Sequence, residues 1–264
     1  MSNSIEHLVA SVEKNASELY REMNLKCDAV IANQSSKAKQ EIIDKKIGNN
    51  TITIINTKQK GVGKNRNQAL LFAKSEICIL SDDDMKYKDN YISIINGAFD
   101  RLPQADVIIF NLDEQDSNRH RRNNKKIKRI HKYNFMNYGA ARVVFRRESI
   151  LRKNIWFSTK FGGGAKYGSG EDTLFISECL KKRLKIYAYP RTIATVDCTI
   201  SSWYKGKNDS FYHDKGALFY AISPHFYIFL IIIFAFKFKS DKIDYHKRIK
   251  IMKSGANEYR NRNI

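Results

Sequence analysis

The chain has 264 residues, of which 42% are hydrophobic and 12% aromatic, so it can bury a sizeable core and is not a disordered protein. Lys and Arg number 47 against 27 Asp and Glu, which gives a formal net charge of +20. This excess predicts a polyanionic neighbour, such as nucleic acid, an anionic membrane surface or a phosphorylated substrate. The four cysteines form no CxxC pair and are typical of reduced thiols in a cytosolic compartment.

The first predicted element is a helix over residues 4–23, where apolar residues recur at helical spacing. Short apolar runs rich in β-branched residues then predict strands, with helices or long connections between them. The predicted strands lie at 28–32, 51–56, 76–80 and 106–112, and helices are expected from residue 64 to about 74 and over 89–101. This order is typical of an α/β protein with a Rossmann-like, mostly parallel sheet flanked by helices.

An acidic triplet, Asp82, Asp83 and Asp84, follows the third predicted strand. In open α/β sheets ligands bind beyond the carboxyl ends of the strands. Three adjacent carboxylates repel one another unless a cation or solvent relieves the repulsion. A hard divalent cation that also holds a diphosphate would suit Asp82 and Asp84. The alternative is a solvated acidic turn.

Two polar segments follow other predicted strands. Residues 61–67 (GVGKNRN) precede a helix, and exposed amides beside Lys64 and Arg66 favour phosphate oxygens, although the P-loop spacing is absent. Asn33 and Gln34 end a strand, and a carboxamide can pair with the edge of a uracil. The alternatives are a surface loop with solvated cations and ordinary turn polarity.

A third motif, Ser169-Gly170-Glu171-Asp172, precedes an apolar helical segment. Ser169 and Asp172 fit a capping box at a helix N-terminus, where acidic groups are favoured. The competing interpretation makes Asp172 a general base that deprotonates an acceptor hydroxyl.

Taken in order, three segments resemble a family 2 glycosyltransferase with the GT-A fold, of the type found in bacterial capsule and surface-polysaccharide clusters. They are residues 59–69 (QKGVGKNRNQA), 79–84 (ILSDDD) and 161–173 (FGGGAKYGSGEDT), the last being the most specific. The resemblance covers roughly residues 4–220. It implies an inverting, metal-dependent transfer from a nucleotide-diphosphate sugar to a glycan acceptor that is expected to be lipid-linked.

The resemblance also implies roles for individual residues. Asp172, within its Glu171-Asp172 pair, takes the place of the catalytic base. Asp84 and Asp82 take the metal-binding positions, for Mg²⁺ or Mn²⁺, and Arg66 takes that of an arginine beside the nucleotide. The residues expected to bind the donor are Asn33, Gln34, Lys64, Arg66, Asn67, Asp82 and Asp83.

One departure from the family pattern concerns the start of the chain. The family opens with an apolar strand before its first helix, whereas this chain is predicted to enter that helix directly. A sheet without its central strand would leave backbone groups buried and unpaired, at about 1–3 kcal/mol each. The sequence therefore predicts that the first strand is missing. Either Met1 is an internal methionine of a longer reading frame, or the gene is truncated.

The C-terminal part is expected to form a membrane-associating tail over residues 216–264, after a transferase domain over 1–215. Residues 226–236 are apolar but too short to span a bilayer, which needs about 20 residues. With the lysines that follow, they favour a helix at an anionic membrane interface. The alternatives are a buried helix and a true span over the wider window 217–236, which contains Ser223-Pro224-His225. The expected location is the cytoplasmic face of the cell membrane.

The rival hypothesis is a non-catalytic protein, built on a degenerate or truncated transferase scaffold, that binds nucleic acid or a membrane surface through its positive charge. Residues 119–132 hold eight basic residues and no acid, with aromatic residues nearby. No recognisable nucleic-acid module surrounds them, and the acidic triplet would repel phosphate. A diphosphate-lipid or acidic-glycan acceptor therefore fits this segment better than nucleic acid.

Overall fold

The computed structural model describes residues 3–37, 39–114, 123–197, 206–237 and 243–262. These residues form an α/β fold in which ten strands make one mixed sheet. The strands are β1 Ile5–Val12, β2 Asp28–Gln34, β3 Glu41–Ile47, β4 Asn50–Thr57, β5 Ile77–Asp82, β6 Met85–Tyr87, β7 Val107–Glu114, β8 Lys128–Arg129, β9 Val143–Arg146 and β10 Ile186–Val196. The helices are α1 Ala16–Glu22, α2 Val62–Phe72, α3 Tyr91–Arg101, α4 Arg147–Arg152, α5 Glu171–Lys181, α6 Asp209–Ile222, α7 Tyr227–Lys237 and α8 Tyr245–Asn261.

The strand order is β3-β4-β2-β1-β5-β9-β7-β10-β6, with β8 paired to β10. The pairs β4/β2, β2/β1, β1/β5 and β7/β10 are parallel, which confirms the predicted Rossmann-like core. Neighbouring residues such as Leu8 and Val9 are both fully buried but belong to two different hydrophobic clusters. Since successive side chains point to opposite faces of a strand, the sheet is covered on both faces.

The predicted helix over 4–23 is wrong at its start, because Ile5–Val12 is a central strand and only Ala16–Glu22 is helical. The polar residues that imitated a solvated helix face are buried. Glu6 accepts hydrogen bonds from the backbone N–H groups of Lys74 and Ser75. His7 bonds Ser81 Oγ at 2.9 Å and Tyr91 OH at 2.8 Å. The predicted missing strand is therefore present as β1, and the premise of the truncation prediction is wrong.

The predicted tail is joined to the main core. Helix α6 crosses the predicted boundary at residue 216, and α8 packs closely against it. A Cβ added to Gly216 would lie 1.8 Å from Met252 O, and one added to Gly255 would lie 1.9 Å from His213 O. Only glycines allow the two helix backbones to approach this closely.

The hydrophobic segment of the tail is broken into two helices at Ser223 and Pro224. Within the described ranges, no helix combines the length and apolar composition needed to cross a membrane. Of the predicted basic run, residues 119–122 lie outside the described residues. The remainder includes the short strand β8, which pairs with β10.

Candidate active site

The site lies where three parallel strands end at one edge of the sheet. Ser11 of β1 pairs with Asn33 of β2, and Ala10 pairs with Asp82 at the end of β5. The N-terminal half of α2, which carries Arg66, and the first turn of α5 reach the same place. The predicted carboxyl-edge site is thus assembled from segments far apart in the sequence.

Arg66 links the acidic triplet to the Glu171-Asp172 pair. Its Nη2 lies 2.6 Å from Asp82 Oδ1, and its Nη1 lies 2.8 Å from Glu171 Oε1. The side chain is only 4% exposed and lies over the ring of Phe157, 5.5 Å from its centroid. Burial alone would lower the pKa of the guanidinium, but Asp82 and Glu171 raise it above its usual value, so Arg66 remains a cation.

Glu171 and Asp172 begin helix α5 and differ in their surroundings. Burial raises the pKa of Glu171, and the neighbouring charge of Asp172 raises it further, while Arg66 opposes both. Asp172 is more open, and its Oδ1 accepts from Thr173 N at 2.6 Å and Thr173 Oγ1 at 3.2 Å. The N-cap is Gly170, without a side-chain capping bond, so the predicted capping box of Ser169 and Asp172 does not form.

The glycine-rich segment from residue 161 to 170 brings α5 against α2. Gly162 has a φ of +101°, and a Cβ there would lie 2.6 Å from Glu171 Oε2. Val62 N donates to Gly163 O at 2.9 Å, and a Cβ on Gly63 would lie 2.1 Å from Ser158 O. Because glycine has no side chain, the segment 161–170 can contact the start of α2 directly. This close contact places Glu171 beside Arg66.

The three residues of the acidic triplet have different environments. Asp82 ends β5 and is one-third exposed, with one oxygen bonded to Arg66. Asp83 accepts from Val12 N at 3.2 Å, and burial raises its pKa. Asp84 is exposed in the turn before β6. Among the described residues, no group of three or more His, Cys, Asp or Glu is arranged to hold a metal.

Two carboxylates next to an open edge are still compatible with a hard divalent cation. Mg²⁺ is commonly held by one or two carboxylates together with substrate phosphate oxygens, rather than by protein groups alone. Asp82 and Asp84 offer oxygen donors of this kind. A cation at this position would depend on the diphosphate of a bound donor to complete its coordination.

The amides predicted to bind the donor base are engaged in the protein itself. Asn33 Oδ1 accepts from Ser11 Oγ and Lys14 N, and its Nδ2 donates to Lys14 O and Asn56 Oδ1. Gln34 Oε1 accepts from Gly61 N at 3.1 Å. Through these bonds both residues connect the segments that follow neighbouring strands. Their role in recognising a base stays a prediction.

Two further residues that were predicted to bind the nucleotide sugar lie on α2. Asn67 forms a pair of bonds with the backbone of Phe157, donating to its O at 2.9 Å and accepting from its N at 2.8 Å. These bonds fix the backbone of Phe157, whose ring packs against Arg66. Asn67 therefore stabilises the position of Arg66 indirectly. Lys64 is half-buried in the first turn of α2, and its role in binding phosphate stays a prediction.

Sequence reasoning missed two site residues. Lys215 on α6 places its Nζ 3.4 Å from Ser169 Oγ, facing Asp172, Glu171 and Asp214. Burial lowers the pKa of Lys215, whereas the three carboxylates oppose this shift. No local motif marks this lysine.

Asn65 is the second missed residue. Its Nδ2 donates to Ser11 O at 3.3 Å. Its Oδ1 is buried without a hydrogen-bond partner in the part of the chain described. An unpaired buried carbonyl is costly, so this atom is available to a ligand or a water. The signal that could have found it is its place between Lys64 and Arg66 in the glycine-containing segment.

Comparisons with known proteins identify the family and the fold. The sequence profile of glycosyl transferase family 2 matches residues 2–157, which include β1, Arg66 and the acidic triplet but not Glu171, Asp172 or Lys215. No curated protein matches the chain significantly.

Among solved structures, residues 1–349 of S. aureus TarS in complex with UDP-GlcNAc align with a TM-score of 0.61 at 14% identity, covering 98% of this chain and 72% of that one. The complex with UDP aligns with a TM-score of 0.59 at 13% identity, covering 98% and 71%. The longer TarS structure gives 0.58 at 13% identity and is covered to 43%. At this identity the likeness shows the GT-A fold.

Proposed function

Because the chain belongs to glycosyl transferase family 2, we propose that it transfers a sugar from a nucleoside-diphosphate sugar to an acceptor hydroxyl, with inversion at the anomeric carbon. The observation that supports this most is the pair of ion pairs from Arg66 to Asp82 and Glu171. Through these contacts Arg66 connects two parts of the site. One is the end of β5, where a diphosphate would bind, and the other is helix α5, which bears the candidate base. UDP-sugars are the first donors to test, since S. aureus TarS was solved with UDP and UDP-GlcNAc.

In this proposal Asp172 is the general base. It takes the proton of the acceptor hydroxyl as the acceptor oxygen attacks the anomeric carbon, and the bond from that carbon to the diphosphate breaks. Its Oδ1 is held by Thr173, and a Cβ on Gly139 would lie 3.2 Å from its Oδ2, so a glycine leaves space beside that oxygen. One in-line displacement of this kind inverts the configuration. A positioned base typically contributes 10²–10⁴-fold.

Arg66 and Glu171 organise the site around this base. Glu171 is buried against the cation of Arg66, which itself holds the carboxylate of Asp82. Asp82 and Asp84 are the residues that would hold Mg²⁺ or Mn²⁺. When bound, the cation would neutralise charge on the leaving nucleoside diphosphate.

The acceptor we propose is a glycan or a lipid-linked glycan of a bacterial surface polysaccharide, handled at the cytoplasmic face of the membrane. The net charge of +20 supports an acceptor that bears phosphate or acidic sugars. The same charge would attract nucleic acid. The acidic groups at the site edge favour the sugar-transfer proposal over nucleic-acid binding, because phosphate without a metal would be repelled there.

The test measures release of UDP from a panel of UDP-sugars, with and without acceptors. The acceptors are glycans and lipid-linked glycans extracted from bacteria. We expect acceptor-stimulated UDP release from at least one donor, with a product whose anomeric configuration, read by NMR, is inverted. The Asp172→Asn variant serves as the negative control. Retention of configuration, or a protein that binds no nucleotide sugar yet binds nucleic acid tightly and with strong salt dependence, would contradict the proposal.

A further inference from the structure

Helix α7 presents a row of large apolar side chains to solvent. With the preceding Phe226, the row runs along one side of the helix, with one to three positions between successive members. It consists of Phe226, Ile228, Phe229, Ile232, Ile233 and Phe236, and we call it the outer row. Its three phenylalanines are 60–67% exposed. Monomeric soluble proteins rarely expose a contiguous apolar patch of this kind without a partner for it.

The opposite side of α7 is packed firmly onto the protein. Ile231 and Ala235 are fully buried in the main core. Phe234 contacts Phe219 and Phe211, with ring centroids 5.3 Å and 6.2 Å apart. Because one face is seated in this way, α7 is a fixed element of the fold, and its outer row is held outward in a defined direction.

Lysines lie on α7 and on the helix packed against it. Lys237 ends α7, and α8, which packs against α7, exposes Lys250 and Lys253. A segment that is apolar on its outer face and flanked by cations matches the interfacial layer of an anionic bilayer, where acyl chains lie under charged headgroups. The 11-residue helix is about 16 Å long at 1.5 Å per residue, so it suits lying along this layer rather than crossing it.

We propose that the outer row of α7 inserts into the surface of an anionic membrane, with the cations of α7 and α8 at the headgroups. A second copy of the chain is a poorer occupant, because joining two such faces would bring together two proteins of charge +20. The inference depends only on this surface and not on the proposed transferase activity.

The test is co-sedimentation of the full chain with vesicles of phosphatidylcholine alone and with phosphatidylglycerol added. The informative variant is Phe229→Asp combined with Ile233→Asp, which places two charges in the outer row without touching the buried face. The matched control is Ile42→Asp on the edge strand β3, where an isoleucine is 55% exposed far along the chain from α7. Melting midpoints and the mass in solution are measured on the same preparations.

We expect the wild-type protein and Ile42→Asp to bind the anionic vesicles, and the double variant to bind at least about tenfold more weakly with an unchanged melting midpoint. High salt should weaken wild-type binding only in part, because apolar insertion is not screened. Equal binding of all three proteins, or complete release by salt alone, would overturn the proposal. So would a wild-type dimer that ignores vesicles and dissociates in the double variant.

Discussion

Arg66 Nη1 and Glu171 Oε1 lie 2.8 Å apart although 105 residues separate them in the chain. The ion pair joins the N-terminal half of α2 to the first turn of α5, and Asp82, at the end of β5, forms a second ion pair with Arg66. This contact makes one site out of motifs that the sequence presents as three separate segments.

Arg66→Met should lower the free energy of unfolding by about 3–5 kcal/mol, because it leaves the buried carboxylate of Glu171 and that of Asp82 without their cation. The matched control is Arg152→Met, which removes an exposed arginine 3.9 Å from Glu148. That control should cost less than about 1 kcal/mol. Chemical denaturation measures both, and equal losses in the two variants would contradict the role given to Arg66.

Asp84→Ala should abolish sugar transfer while the free energy of unfolding stays within about 0.5 kcal/mol of wild type, since Asp84 is exposed. Removing divalent cations with EDTA should have the same effect on the wild-type enzyme. Asp89→Ala, an exposed acid paired with Lys26, is the control and should keep its turnover. Wild-type turnover by Asp84→Ala in the presence of EDTA would show that no cation acts here.

Lys215→Met should reduce turnover by about 10–100-fold, because it removes the charged partner facing Asp172 and Glu171. Lys215→Arg keeps the charge and should retain most of the activity. Lys182→Met, at the other end of α5, should leave turnover unchanged. The idea fails if Lys215→Met matches Lys182→Met in turnover.

Stability should fall in acid because of His7. Burial lowers the pKa of His7 from 6.5 to about 3. Between these two pH values the imidazole is protonated in the unfolded chain but stays neutral in the folded protein. The stability that this residue contributes above pH 6.5 is therefore lost as the pH falls toward 3, by up to about 1.4 kcal/mol per pH unit.

The measurement compares the pH dependence of unfolding in wild type and His7→Gln. The variant has no imidazole to titrate, so its unfolding free energy should fall less steeply between pH 6.5 and 4. Parallel curves for the two proteins would mean that His7 is accessible to protons in the folded state.

The sequence predicted the strands β2, β4, β5 and β7 well, because both faces of these strands are buried and their residues form apolar runs. It missed β1, since Glu6 and His7 read as the polar face of a helix, and only the folded structure supplies their buried partners. It also missed β3, whose residues are mostly exposed and whose pairing with β4 leaves little trace in composition.

Site residues divide in the same way. Short motifs with unusual local chemistry, such as the acidic triplet and the pair Glu171-Asp172, were found from sequence alone. Lys215 was not, because it enters the site only through the packing of α6. The bonds that occupy Asn33 and Asn67 were equally invisible, since their partners are backbone groups from other parts of the fold.

In the proposed reaction, Asp172 is the base of an inverting sugar transfer. The experiment measures donor affinity, turnover and melting midpoint for wild type, Asp172→Asn and the control Glu178→Gln, a partly exposed acid on the same helix. We predict unchanged UDP-sugar affinity for Asp172→Asn, a melting midpoint close to that of Glu178→Gln, and at least about 100-fold lower turnover. Wild-type turnover with a clearly lowered melting midpoint would show instead that Asp172 only stabilises the start of α5.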